Sequence, residues 1–257
     1  MNLITLENIS INYGKRTIIK DLNTAIEEKE IIALLGANGC GKTTLLKSIL
    51  GLVKPRSGTI TIEGKPQSQL KQEEIAKIIG YVPQAQNSHF AFTVEEVVLM
   101  GRTAHLHWAA TPKEKDRKIA HTALERLGVA HLLKSSITTL SGGERQLVLI
   151  ARAIAQQPRC LIMDEPTASL DYGNQLRVLE QIKRLKASGI TIIMTTHQPE
   201  HALSIADRLL LLHQGDLIAD GAPETTLTTT NLAQIYNLPE SIIEQNFQFE
   251  KLQFHSA

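Results

Sequence analysis

The sequence predicts an α/β fold: a mostly parallel sheet with helices packed against it, an antiparallel β unit at the N-terminal end, and an inserted helical stretch. Three observations predict it. Three short apolar runs, Ile31–Leu35, Cys160–Met163 and Ile190–Met194, are each followed by Gly, Asp or His. Central strands buried on both faces read this way, with functional groups at their C-terminal ends. Helical patterns alternate with these runs, giving the rhythm of βαβ units. From about Asn87 to Pro158, by contrast, the pattern is almost all helical, with no good strand.

Taken in order, Leu3–Tyr13 and Thr17–Ile26 read as two strands around a turn at Gly14–Arg16. Ile31–Leu35 is the first buried strand, and a glycine-rich loop and a helix near Lys42 follow it. Thr93 caps a helix beginning Val94-Glu95-Glu96, and Glu96 completes a capping box. Lys113–Gly128 places Ile119, Ala123, Leu124 and Leu127 on one face, with Gly128 as the stop. Gly142–Gln156 does the same with Leu147, Ile150, Ala151 and Ile154. Short strands return after His213 around Gln214-Gly215-Asp216. A weaker helical pattern over Asn231–Leu238 then leads into a polar tail with no readable structure. No repeat, low-complexity block or Gly/Ser linker marks a second domain. The expected plan is one domain, 1–257: an α/β core with its β subdomain over 1–86 and 158–221, a helical subdomain over 87–157, and an extension over 222–257.

The 257 residues suffice to bury a full core, and a charged fraction of 21% is ordinary for a globular chain. A formal net charge of +1 argues against binding nucleic acid through bulk positive charge. No apolar stretch approaches the roughly 20 residues needed to cross a bilayer. The start lacks a basic flank and apolar core, so no secretory signal is expected. Two cysteines, Cys40 and Cys160, do not suggest a disulfide framework, which fits a reducing cytosol.

Gly36-Ala37-Asn38-Gly39-Cys40-Gly41-Lys42-Thr43 matches G-x-x-x-x-G-K-[ST], the Walker A pattern. Its glycines let backbone N–H groups wrap a phosphate, and the following helix adds the positive end of its dipole. Lys42 is placed to reach β- and γ-phosphates, and the Thr43 hydroxyl to coordinate Mg²⁺. Cys40, among these amides and next to Lys42, is expected to be a reactive thiol. Cys160–Met163 ends in Asp164-Glu165, the Walker B arrangement. There Asp164 holds Mg²⁺ and Glu165 polarises the attacking water. Two histidine pairs, His105/His107 and His197/His201, lack the further ligands a zinc site needs.

Leu140-Ser141-Gly142-Gly143-Glu144-Arg145-Gln146 is a second anion-binding device: a serine hydroxyl and glycine amides at a helix N-terminus. Average residue usage produces L-S-G-G-E-x-Q in roughly one of tens of thousands of chains. Here the sequence resembles the ABC-type ATPases, in which this motif is the signature, and further landmarks follow in order across about residues 3–221. Tyr13 resembles the aromatic residue that stacks on adenine, and Gln84 the Q-loop glutamine. Ser169-Leu170-Asp171 resembles the D-loop, and His197 the switch histidine. Ala37 and Cys40 stand where the family often has Pro and Ser. The resemblance implies a P-loop NTPase (RecA-like) core using ATP and Mg²⁺. It implies ATP contacts from Tyr13, Gly36, Asn38, Gly39, Cys40, Gly41, Lys42, Thr43 and Thr44. A second copy of the chain would supply Ser141, Gly142, Gly143, Glu144 and Asp171 across an interface. Mg²⁺ would be held by Thr43, Gln84 and Asp164, and hydrolysis assisted by Glu165, His197 and Gln84.

Thr93–Arg102 and Asn231–Tyr236 resemble stretches of the ATPases that serve iron–siderophore, haem and cobalamin importers, some of whose relatives carry molybdate or tungstate. This implies an ATP-sandwich homodimer, two copies of a polytopic permease, and, indirectly, an extracytoplasmic substrate-binding protein, with no nucleic-acid partner. The chain would then lie peripherally on the cytoplasmic face of the inner membrane. An exporter motor and a soluble non-transport ATPase stay open as other readings. A catalytically dead regulator conflicts with the intact Lys42, Asp164, Glu165 and His197.

Overall fold

A computed structural model describes residues 2–84, 90–107 and 110–247. They belong to two compact units: one runs up to Leu70 and resumes at Ile193, and the other is Lys71–Ile192. The first unit opens with β1 (Asn2–Tyr13), β2 (Arg16–Glu27), β3 (Ile31–Leu35), α1 (Lys42–Ile49), β4 (Ser57–Ile62) and the two-residue β5 (Lys65–Pro66). The second holds α2 (Gln72–Ile78), β6 (Ile79–Val82), α3 (Val94–Leu99), α4 (Glu114–Arg126), α5 (Gly142–Ala155), β7 (Cys160–Met163) and α6 (Tyr172–Ala187). The unit boundary falls within β8 (Thr191–Thr196). The first unit then closes with α7 (Pro199–Ile205), β9 (Arg208–His213), β10 (Asp216–Gly221), α8 (Pro223–Thr226), α9 (Thr229–Tyr236) and α10 (Glu240–Asn246). The class is mixed α/β, as the sequence predicts. The 86/87 boundary and residues 248–257 of the expected extension lie outside the described residues.

In the first unit, β2, β1, β4 and β5 form an antiparallel sheet in that order. β1 changes face half-way along. Leu3, Ile4 and Leu6 are buried before Asn8, and Ile9 and Ile11 after it. Asn8 adopts a positive φ of 51°, and the pairing shifts register between Leu6 and Ile9. One extra residue moves every later side chain to the opposite face, so the bulge is what keeps both halves of the strand on the core. Its backbone is satisfied: Asn8 N donates to Asn23 Oδ1 at 2.8 Å. β3 runs parallel to β9, with Ile32 opposite Arg208 and Leu35 opposite Leu211, and β10 pairs antiparallel to β9. All five β3 residues are buried, which explains why that run is apolar without alternation.

In the second unit β6 and β7 pair in parallel, from Ile79 opposite Cys160 to Val82 opposite Met163. Thr93 caps α3 as its sequence predicts: Thr93 Oγ1 accepts from Glu96 N at 3.3 Å, and Thr93 N donates to Glu96 Oε2 at 2.7 Å. α4 and α5 form where expected, and most of each predicted stripe is buried: Ala123, Leu124 and Leu127 on the first, Ile150, Ala151 and Ile154 on the second. Ile119 and Leu147 are only half-buried, while Asp116 and Gln146 are buried. An ion pair accounts for Asp116. Arg102 Nε donates to Asp116 Oδ1 at 3.1 Å, both side chains being 4% exposed or less. Arg102 Nη1 also donates to the Ala155 carbonyl at 2.7 Å, satisfying an end-of-helix acceptor on α5. The third apolar run becomes β8 with a shift, starting at Thr191 and continuing to Thr196. Among the described residues no helix is long and apolar enough to cross a membrane.

Candidate functional site

The candidate residues fall into two groups, one in each unit. In the first, β3 delivers the chain into the loop Gly36–Gly41, and α1 starts at Lys42 with Gly41 as its left-handed N-cap, φ 113°. Leu45, Leu46 and Ile49 bury the inner face of α1 and fix its axis. The first-turn N–H groups of a helix have no intrahelical acceptor, so this end is suited to hold an anion. Lys42 Nζ turns back over the loop, donating to the Gly36 carbonyl at 2.7 Å and the Ala37 carbonyl at 3.2 Å. Asn38, Gly39 and Thr43 are exposed, and Thr44 is half-buried.

Cys40 corrects one expectation. Its side chain is turned inward: a Cβ built at Gly36 would lie 2.7 Å from the Cys40 sulfur, so the loop closes over it only because Gly36 has none. Burial pushes the thiol up from its ordinary value and outweighs the opposing pull of Lys42 and nearby backbone N–H groups. The thiolate is therefore disfavoured, the reverse of an activated cysteine. Cys160 is also buried and unbridged.

Tyr13 stands at the tip of the β1–β2 hairpin, opposite Arg16 and 53% exposed. His197 lies in the link between β8 and α7 and is half-buried. Its carbonyl accepts a hydrogen bond from the Tyr236 hydroxyl at 2.8 Å. A cleft of about 600 Å³ beside the loop is lined by Arg16–Ile18 of β2, Ala37–Cys40, His213, Gln214 and Ile235–Asn237.

In the second unit the β6–β7 ladder is extended by Asp164 N, which donates to the Val82 carbonyl at 2.9 Å and holds Asp164 5% exposed at the strand end. Tyr81 beside it has its phenol raised by burial and by the Asp164 charge. Glu165 takes a left-handed φ of 47°, uncommon for a residue with a side chain. Gln84 Nε2 donates to Glu165 Oε2 at 3.4 Å, so the structure brings these two together.

Ser141 is the N-cap of α5. Its Oγ accepts from Glu144 N at 3.3 Å and donates to Glu144 Oε2 at 2.7 Å, and its N–H donates to the same carboxylate at 2.9 Å. Those two bonds hold the Glu144 carboxyl below its ordinary value, the hydroxyl contributing most. Ser141 and Gly142 face solvent, whereas Gly143 is buried against Asn174. Asp171 caps α6. Its Oδ1 accepts from Asn174 N at 2.9 Å and its Oδ2 from Asn174 Nδ2 at 2.6 Å, which lowers its carboxyl. Asn174 thus touches both Asp171 and the signature turn. Sequence reasoning gave no role to Asn174 or Tyr236. Helical spacing alone could have found Tyr236, four residues after the buried Leu232. Nothing in the sequence singles out Asn174.

Among the described residues no three His, Cys, Asp or Glu side chains stand together as a metal cluster. A family model described as ABC transporter matches residues 19–168, more than half of the chain. An uncharacterised ABC transporter ATP-binding protein of Haemophilus influenzae is 46% identical over 95% of this chain and 93% of its own length. The molybdate import ATP-binding protein MolC of the same organism is 39% identical, covering 96% and 92%. The iron(3+)-hydroxamate import ATP-binding protein FhuC of Bacillus subtilis is 36% identical, covering 95% and 91%. A solved ABC transporter assigned to the metal-chelate type, in an inward-facing conformation, superposes with a TM-score of 0.83 at 38% identity over 93% of this chain and 90% of that one. On this family match and these identities, the chain belongs to the ABC transporter family as an ATP-binding subunit, an ATPase coupled to transport.

Proposed function

We propose that this chain is the motor of an importer for a metal chelate (iron–siderophore, haem or cobalamin) or an oxyanion such as molybdate, driving a separate permease. One observation carries the reading: the chain has two helix N-termini built for anions, α1 behind Gly41 and α5 behind Ser141. The direction and cargo class rest on the import functions named for MolC and FhuC.

In this reading the triphosphate of ATP lies on Lys42, Thr43, Thr44 and the backbone of Gly36–Gly41, with Tyr13 stacked on adenine. Ser141, Gly142 and Gly143 of a second copy close over it, Glu144 holding their turn and Asp171 lying along the same interface. Glu165 orients the attacking water and draws its proton, while His197 contacts the γ-phosphate and Gln84 senses the charge of the site. The hydroxyl of Thr43, the carboxylate of Asp164 and the amide oxygen of Gln84 are hard oxygen donors of the kind Mg²⁺ takes, and that ion supplies charge neutralisation at the phosphates. Residues 87–157 act as a helical subdomain. The assembly works at the cytoplasmic face of the inner membrane with two permease copies, fed by an extracytoplasmic binding protein.

Mixed dimers in the complete transporter test the shared pocket. Lys42→Ala on one chain and Ser141→Arg on its partner should leave one working pocket, whereas both changes on one chain should cripple both. Equal activity of the two arrangements would overturn the proposal. Uptake into vesicles of ferric siderophore, haem, cobalamin and molybdate, assayed side by side, identifies the cargo.

A further inference from the structure

We propose that Tyr236 is a positioning residue of the hydrolytic site: its phenol pins the main chain of His197, which makes α9, in the C-terminal extension, part of the ATPase machinery. The inference rests on the reading of His197 as a γ-phosphate contact.

The link from β8 to α7 is short, and it is held from two sides. Within the link, Gln198 N donates to Thr196 Oγ1 at 3.0 Å. From outside, the Tyr236 hydroxyl donates to the His197 carbonyl at 2.8 Å, across 39 residues of sequence. The donor is well anchored. Thr228 caps α9 by accepting from Asn231 N at 3.1 Å, and Leu232 and Ile235 are buried at 1% and 2% exposure. Asn237 ends the helix in a left-handed conformation, φ 54°, leaving Tyr236 as its last residue.

The same residue adjoins the nucleotide loop. Tyr236 lines the cleft that Asn38, Gly39 and Cys40 border. Burial, then the charge of Glu200, hold its phenol well above its ordinary value, so it stays a proton donor throughout the working range. Here it ties the segment carrying the switch histidine to an element beside the loop, so that the imidazole is presented from a fixed backbone.

Steady-state ATPase kinetics on the full chain with Tyr236→Phe, His197→Ala and the double variant test this. Phenylalanine keeps the ring and its packing, so folding is retained, and a cooperative melt within a few degrees of the parent verifies that. Tyr236→Phe should lower kcat about threefold to tenfold, the range one net hydrogen bond supplies, with KM for ATP little changed. In the His197→Ala background the same change should have almost no further effect on kcat. Unchanged kcat for Tyr236→Phe beside a crippled His197→Ala would overturn the inference and spare the histidine's role. An equal loss in both backgrounds would also overturn it, since the phenol would then act elsewhere. Normal turnover by His197→Ala would instead remove the reading on which the inference stands.

Discussion

Asn174 stands so close to Gly143 that a Cβ there would lie 2.4 Å from its side-chain oxygen and 2.9 Å from its own Cβ. The signature turn and the α6 cap are therefore built as one piece within the second unit. Gly143→Ala should be destabilising by about 1–3 kcal/mol through overpacking, with turnover reduced as the turn shifts. Adding Asn174→Ala removes the oxygen at 2.4 Å but leaves the Cβ at 2.9 Å, so urea unfolding of the double variant should recover only part of that loss. If Asn174→Ala gave no recovery, the contact would not be the cause.

Glu165→Gln should keep ATP binding and reduce hydrolysis by about a hundredfold to ten-thousandfold, the range for losing a general base. Nucleotide titration beside a phosphate-release assay separates the two effects. Near-normal turnover would free Glu165 from the role proposed above.

The Arg102–Asp116 pair gives a stability prediction with a pH sign. Asp116→Ala leaves a buried guanidinium without its carboxylate and should cost about 3–5 kcal/mol. Burial raises the Asp116 carboxyl, but the Lys113 backbone N–H and Arg102 together hold it below its ordinary 3.8. A folded value below the unfolded one means that the stabilisation is complete above the unfolded value and is lost as pH falls through the folded one. Urea midpoints should therefore drop below about pH 4, and Asp116→Asn should weaken that dependence.

Thiol chemistry checks the reversal at Cys40. With burial raising its thiol, N-ethylmaleimide at neutral pH should modify the folded chain at least about tenfold more slowly than the unfolded chain. Rapid labelling of Cys40 in the folded protein would contradict the buried geometry.

The elements legible in the sequence were those with a local signal. The uninterrupted apolar runs of β3 and β7 marked buried strands, and Thr93 with Glu96 marked a helix start. The rest depended on partners distant in sequence. Asp116 is inside because Arg102 meets it, which no apolar stripe on α4 could reveal. Asn8 breaks the alternation of β1, so the strand reads cleanly only once the bulge is known. The loop Gly36–Gly41 was written in its glycines. The direction in which Cys40 faces was not, because charge neighbours in sequence favoured the thiolate and burial, a tertiary property, prevailed.

The first unit is made from both ends of the chain, and this has a cost during synthesis. Lys20 meets Asp216 at 2.7 Å across 196 residues, and β3 pairs with β9, a strand that the ribosome delivers far later. At ribosomal speeds that interval lasts about 10–40 s, during which the apolar edge of Ile31–Leu35 hangs unpaired from the nascent chain. Chaperone dependence in the cell should then concentrate on that strand, and circular permutants that join the two ends should be relieved of it.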